Sequence, residues 1–136
     1  MLTQLGTKLT ALLAALCLAA APAAWAQVFD VIVIGSEPEG VSAAVAAAQE
    51  GARTILLTQD GRLGGLFVTG EMNSLDVRTT PVNYQRGLFL DWWQRVGTGH
   101  SFDVLRAEAA FEAMLAEAGV TVIRSVQEYI PLFALD

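Results

Sequence analysis

The sequence is poor in the side chains that most often carry redox or metal chemistry. It holds one cysteine, Cys17, and one histidine, His100. A lone cysteine forms no internal disulfide and no redox-active dithiol, and a lone histidine builds no Cys/His metal cluster. We expect no metal site, and we interpret His100 as a surface or capping residue, with an acid/base role as the alternative.

Acidic side chains are absent from the first 26 residues, which have the features of a Sec-type signal peptide. Lys8 supplies positive charge, residues 9–21 are apolar, and residues 24–26 (Ala-Trp-Ala) fit a signal peptidase site before Gln27. An uncleaved anchor is the alternative, but the apolar run is shorter than the roughly 20 residues that cross a bilayer. We therefore expect residues 27–136 to be the mature domain, in the periplasm or outside the cell.

Basic residues are also scarce. The chain has 8 basic and 14 acidic residues, and removal of Lys8 with the signal leaves seven arginines and a net charge of −7. Polyanions are bound by basic clusters, and the mature sequence has none. We expect no nucleic-acid partner and no membrane partner after signal cleavage.

The first half of the mature sequence predicts a βαβ unit. Residues 28–34 form an apolar, β-branched run that ends at Gly35, as in a buried parallel strand. Residues 38–50 have helix-forming composition, Gly51 ends the helix, and residues 53–58 predict a second strand. A strand, a glycine turn, a helix and a strand in this order form a parallel crossover.

The second half predicts two helices and a third strand after an irregular, glycine-rich segment at 59–80. The first helix spans 81–96 and the second 103–118, followed by a strand at 120–123. The expected inner faces are Tyr84, Leu88, Trp92 and Val96 in the first helix, and Val104, Leu105, Phe111, Met114 and Leu115 in the second. We expect Glu108, Glu112 and Glu117 to lie mostly outside and the Trp92-Trp93 pair to pack inside.

The first turn carries the clearest functional signal. Residues 35–40, Gly-Ser-Glu-Pro-Glu-Gly, follow a predicted strand and open a helix, where G-x-G-x-x-G turns bind the pyrophosphate of dinucleotides. Gly35 permits the sharp turn and Gly40 lets the helix approach the strand. Glu37 replaces the middle glycine.

Glu37 leaves two interpretations open. Its bulk and negative charge oppose an anionic ligand, so from charge alone Glu37→Gly should tighten binding at this turn. The carboxylate also complements the amino terminus of its own helix and would stabilise a site without nucleotide.

The end of the second strand is equally ambiguous. An acidic residue there usually accepts the ribose hydroxyls. The sequence has Thr58, which can make one weaker hydrogen bond, and then Asp60, which could replace the acid if the loop bends back.

The segments 30–35, 38–48, 51–52 and Leu63-Gly64-Gly65 together resemble the amino terminus of FAD-dependent oxidoreductases of the glutathione-reductase-like superfamily. The resemblance covers residues 30–125. It implies an α/β fold with a Rossmann-like βαβ unit, a three-stranded parallel sheet and an incomplete FAD-binding domain, because a full member continues into further segments and a substrate domain.

The resemblance also implies FAD as the cofactor, with an unknown small-molecule substrate. It gives these candidate cofactor contacts: Gly35, Ser36, Glu37, Gly40, Thr58, Gly64 and Gly65. The adenine would lie near Val126. Glu37 and Thr58 depart from the family pattern. The alternatives are a secreted, cofactor-free domain that binds a protein through Trp92 or Trp93, and, more weakly, an NAD-binding domain.

Overall fold

The computed structural model describes residues 27–77 and 84–128. Within these ranges the elements are β1 (Val31–Ile34), α1 (Pro38–Gln49), β2 (Thr54–Leu57), α2 (Gly65–Val68), α3 (Gly87–Val96), α4 (Val104–Ala118) and β3 (Thr121–Ile123). The predicted signal peptide lies outside the described residues. No helix in the described ranges is both long enough and apolar enough to span a bilayer.

The three strands form one parallel sheet in the order β1-β2-β3. Val31 pairs with Thr54, and Ile55 of the central strand pairs with Thr121. Helix α1 connects β1 to β2, and α2, α3 and α4 lie between β2 and β3 in the chain. The structure therefore confirms the predicted α/β class, the βαβ unit and the three-stranded parallel core.

The helices and the core side chains lie on one face of this sheet, and Ile55 of the central strand is buried on the other. Leu56 of the central strand is fully buried, and Val33 and Val122 of its neighbours pack against the same core. The opposite face leaves three side chains between 47% and 61% exposed in the described structure: Ile32, Ile34 and Ile123. The core is therefore one-sided, between the sheet and its helices.

Trp92 occupies the centre of that core and is 1% exposed. Its ring lies 5.2 Å from both Phe67 and Phe111 in stacked geometry, and 5.1 Å from Phe102 edge to face. The indole Nε1–H donates to the carbonyl of Ala107, which satisfies its polar group. These contacts join α2, α3 and α4. The expected packing role of Trp92 and Trp93 is confirmed, since Trp93 is 2% exposed.

Two details of the predicted helices are wrong. Helix α3 begins at Gly87, after an extended Arg86, so Tyr84 lies before the helix and is 58% exposed. Leu105 in α4 is 70% exposed. Each helical residue advances about 100°, so Leu105 points well away from Phe111 and the buried face. The predicted start at residues 81–83 lies outside the described residues.

Asp30 and Arg53 join the beginnings of β1 and β2. The Asp30 carboxylate accepts the Arg53 backbone N–H at 2.8 Å and the guanidinium at 2.9 and 3.0 Å. Hydrogen bonds from the Arg53 side chain, and then from its backbone N–H, lower the pKa of Asp30 from 3.8 to about 2.

The variant Asp30→Asn should lose the part of the protein's stability that depends on this ionisation. Because the folded-state pKa is depressed, the contribution is complete above 3.8 and disappears as the pH falls toward about 2. Thermal unfolding across this range should show a wild-type advantage that vanishes at the acidic end. A constant difference at every pH, or the same profile in the control Glu50→Gln, would contradict it.

Candidate functional site

The first turn lies at the carboxyl end of β1 and is closed by glycines. Gly35 has a φ of +121° and donates its N–H to the Leu57 carbonyl at 2.9 Å. A Cβ at Gly40 would overlap the carbonyl of Gly35. The turn therefore requires glycine at residue 35 for its backbone conformation and at residue 40 for the close approach of α1 to β1.

Helix α1 begins above this turn without a side-chain cap from its own N-cap residue. Glu37 is the N-cap, yet its carboxylate makes no hydrogen bond to the amides of α1. The first helical bond runs from Val41 N–H to Glu37 C=O at 3.0 Å. The Glu37 carboxylate therefore does not cap its own helix by a hydrogen bond, and the amino terminus of α1 remains suited to an anion.

The Glu37 carboxylate reaches α2 instead. Its Oε2 accepts the backbone N–H of Leu66 at 3.0 Å, and a Cβ at Gly65 would overlap the carboxylate. A backbone bond from Gly64 N–H to Ser36 C=O, 2.7 Å long, lies beside this contact. The structure thus brings the Gly64-Gly65 segment against the first turn.

The loop after β2 bends back to the same turn. Thr58 is 1% exposed, and its hydroxyl accepts the backbone N–H of Asp60 at 3.0 Å. The Asp60 carboxylate then accepts the Ser36 hydroxyl at 2.9 Å. The loop therefore bends back as it must for Asp60 to replace the missing acid. The bend presents an exposed carboxylate beside Ser36.

The residues that follow β3 are hydrogen-bonded to the loop after β2. Val126 N–H donates to the Thr58 carbonyl at 2.9 Å, and Ser125 N–H donates to the Asp60 carbonyl at 3.4 Å. Val126 therefore lies beside the end of β2, in the region where the resemblance implies the adenine.

A partly buried ion pair anchors the glycine-rich segment to α4. The Arg62 guanidinium donates twice to Glu108 Oε2, at 2.8 and 2.9 Å, and Leu63 N–H approaches Oε1 at 3.4 Å. The Glu108 side chain is only 16% exposed, so the expectation that it lies mostly outside is wrong. The paired carboxylate also raises the pKa of Arg62.

His100 has a structural role in the described chain. Its Nδ1 lies 3.0 Å from the Leu75 carbonyl, and its own carbonyl accepts the Leu75 N–H at 2.6 Å. These bonds join the segment after α2 to the one before α4. No group of three or more potential metal ligands occurs among the described residues.

An open cavity of about 390 Å³ lies beside the turn and α2. It is lined by Glu37, Pro38, Glu39, Ser42, Leu66, Phe67 and Phe89. A second cavity, of about 340 Å³, lies at the opposite edge of the sheet and is lined by Gln27, Val28, Phe29, Arg53, Thr54, Gly119 and Thr121. The second is remote from the glycine turn, and ligands of open α/β sheets bind at the carboxyl edge.

Gly40→Ala should destabilise the protein, because the added methyl group meets the Gly35 backbone rather than a side chain that can move. Overpacking of this kind costs about 1–3 kcal/mol. Urea unfolding measures the loss. The control is Gly61→Ala, whose added Cβ has only Ser125 Oγ at 4.0 Å as a neighbour and should change stability little. Equal stability of the two variants would contradict the close approach.

The chain is similar to proteins that are already known. The MnmG protein of Dichelobacter nodosus (strain VCS1703A), a tRNA uridine 5-carboxymethylaminomethyl modification enzyme, is 28% identical over 123 residues. That match covers 81% of this chain but only 19% of the relative, so the chain spans about a fifth of the relative's length. The crystal structure of Thermovibrio ammonificans THI4 overlaps 71% of this chain and 38% of its own, with 19% identity and a TM-score of 0.49.

The profile of the family described as FAD dependent oxidoreductase matches residues 30–128, which include every element of the described structure. FAD is the cofactor of this family. The resemblance inferred from the glycine motifs is therefore confirmed, and the chain belongs to the FAD-dependent oxidoreductases.

Proposed function

We propose that this chain is the FAD-binding portion of an exported flavin-dependent oxidoreductase. One observation carries the proposal: the Gly64-Gly65 segment and Asp60 are both hydrogen-bonded to Ser36 of the first turn, at the carboxyl edge of the sheet. Asp60 lies 24 residues after Ser36 in the sequence, and the Gly64-Gly65 segment follows it closely. The fold therefore joins distant parts of the chain at the edge where dinucleotides bind in open α/β sheets.

The pyrophosphate fits the first turn. Gly35 and Gly40 keep the turn tight, and the amides at the start of α1 lack a cap from the Glu37 side chain. The helix dipole and the amides of the first helical turn favour a negative charge at this point. Ser36, which is buried, contributes its backbone to the turn while its hydroxyl binds Asp60.

Asp60, rather than Thr58, is the better ribose acceptor. The Thr58 hydroxyl is buried and already holds the Asp60 backbone, whereas the Asp60 carboxylate is exposed beside the first turn. A carboxylate can accept a ribose hydroxyl in a charge-assisted hydrogen bond. Thr58 then acts by shaping the loop that presents Asp60.

The redox chemistry belongs to the flavin, and the residues of this chain supply binding and orientation. A small molecule remains the proposed substrate class. A nucleic-acid substrate is not proposed, although the relative's name refers to tRNA. Four of the arginines in the described structure form ion pairs with carboxylates, so their positive charges are partly neutralised: Arg53, Arg62, Arg95 and Arg124.

The alternative is a cofactor-free domain that binds another protein. Its suggested contact residues, Trp92 and Trp93, are both buried in the core and offer no tryptophan surface. The described turn also keeps its two structural glycines. Both observations favour the cofactor-binding proposal.

FAD titration of the purified protein, followed by quenching of flavin fluorescence, tests this function. Saturable binding is expected, and Asp60→Asn should raise the Kd about 10-fold, because a hydrogen bond to a charged group contributes roughly 1.5 kcal/mol or more. Glu50→Gln, at the far end of α1, is the matched control and should bind like the wild type. A folded protein that never quenches the flavin would support the cofactor-free alternative.

We also propose export to the periplasm or beyond, on the strength of residues 1–26. Fusion of these residues to a reporter that is active only outside the cytoplasm should give activity, and mass spectrometry of the exported protein should show Gln27 as its first residue. Activity that stays in the membrane fraction with the first 26 residues retained would indicate an anchor instead.

A further inference from the structure

Glu37 is the residue of the first turn that least fits a phosphate site, and its contacts suggest a different role. It stands where the family motif has glycine, and its carboxylate makes no hydrogen bond to the amides of α1. The same carboxylate accepts the N–H of Leu66, 29 residues along the chain, at 3.0 Å. Its charge is therefore directed to the start of α2.

The fit between Glu37 and Gly65 is steric as well as electrostatic. A Cβ built on Gly65 would overlap both oxygens and the carboxyl carbon of Glu37, so the whole carboxylate lies over the Gly65 Cα. The side chain of one residue thus fills the space left by the missing side chain of the other. The two positions form a matched pair.

Helix α2 depends on tertiary contacts for its position. It has four residues, too short to be stable alone, so its position is set by its surroundings. Gly64 N–H binds Ser36 C=O on one side, and Phe67 stacks on Trp92 on the other. Glu37 adds the only charged acceptor that the described structure shows at the α2 amides.

We propose that Glu37 is a positioning residue of the cofactor site, which holds the start of α2 against the first turn and keeps this contact when FAD binds. The cofactor part of this inference rests on the proposed function. The pyrophosphate is then bound by the amides of α1, while the carboxylate is neutralised in part by the amides of α2. This role reverses the expectation from charge alone that removing Glu37 tightens FAD binding.

A double-mutant cycle tests the contact without any cofactor. Gly65→Ala should lower the Tm by roughly 5 °C or more, since about 1 kcal/mol corresponds to 4–8 °C in a domain of this size. In a Glu37→Ala background, the same change should lower the Tm by less, and the difference between the two losses measures the Glu37–Gly65 contact. The backbone strain of an alanine at the positive φ of residue 65 is present in both backgrounds. It therefore cancels when one loss of Tm is subtracted from the other. Equal losses in the two backgrounds would overturn the proposed pairing.

FAD titration of the same variants tests the positioning role. Glu37→Ala should raise the Kd about 10-fold in a protein that is still folded, whereas Glu37→Gln keeps an acceptor for Leu66 N–H and should stay within about 3-fold of the wild type. Glu50→Ala removes a carboxylate at the far end of the same helix and should bind FAD like the wild type.

The outcomes separate the inference from the proposed function. Tighter binding in Glu37→Ala would show that the carboxylate repels the cofactor, and unchanged binding would show that it does not position the site. Either result would overturn the positioning role. A wild-type protein that binds no FAD would overturn the proposed function and the cofactor part of this inference, while the Tm cycle would still decide whether Glu37 and Gly65 are paired.

Discussion

The stack of aromatic rings on Trp92 is the contact on which the arrangement of the described structure depends. Phe67 comes from α2, Phe111 from α4 and Phe102 from the segment before it, and all three contact one indole. These contacts therefore fix the helices between β2 and β3 relative to one another. Because Phe67 belongs to α2, the same stack sets the distance between the glycine pair and the first turn.

Local patterns were sufficient to predict the sheet and its long helices. The strands 31–34 and 54–57 lie in apolar runs, the helix that begins at Pro38 has helix-forming composition, and glycines mark the boundaries between them. All three lie within the predicted segments. Helix α2 was missed because four residues that begin with glycine have no periodicity to detect. The start of α3 was placed too early, because helical spacing of apolar residues continues through an extended segment.

The candidate site was predictable only in part, for a related reason. The roles of Gly35 and Gly40 follow from a motif of six consecutive residues and need no knowledge of the rest of the chain. Glu37 acquires its partner from residues 65 and 66, and Asp60 acquires its position from a bend that ends at Ser36. Such contacts are tertiary, and spacing in the sequence carries no signal for them.

The close fit between the Glu37 carboxylate and Gly65 limits the order in which the two positions can change during evolution. A side chain gained first at residue 65 meets a carboxylate that already fills its space. A shorter side chain gained first at residue 37 opens that space, and only the backbone preference at residue 65 then opposes the second change. A residue other than glycine at position 65 therefore requires that the glutamate be displaced or lost.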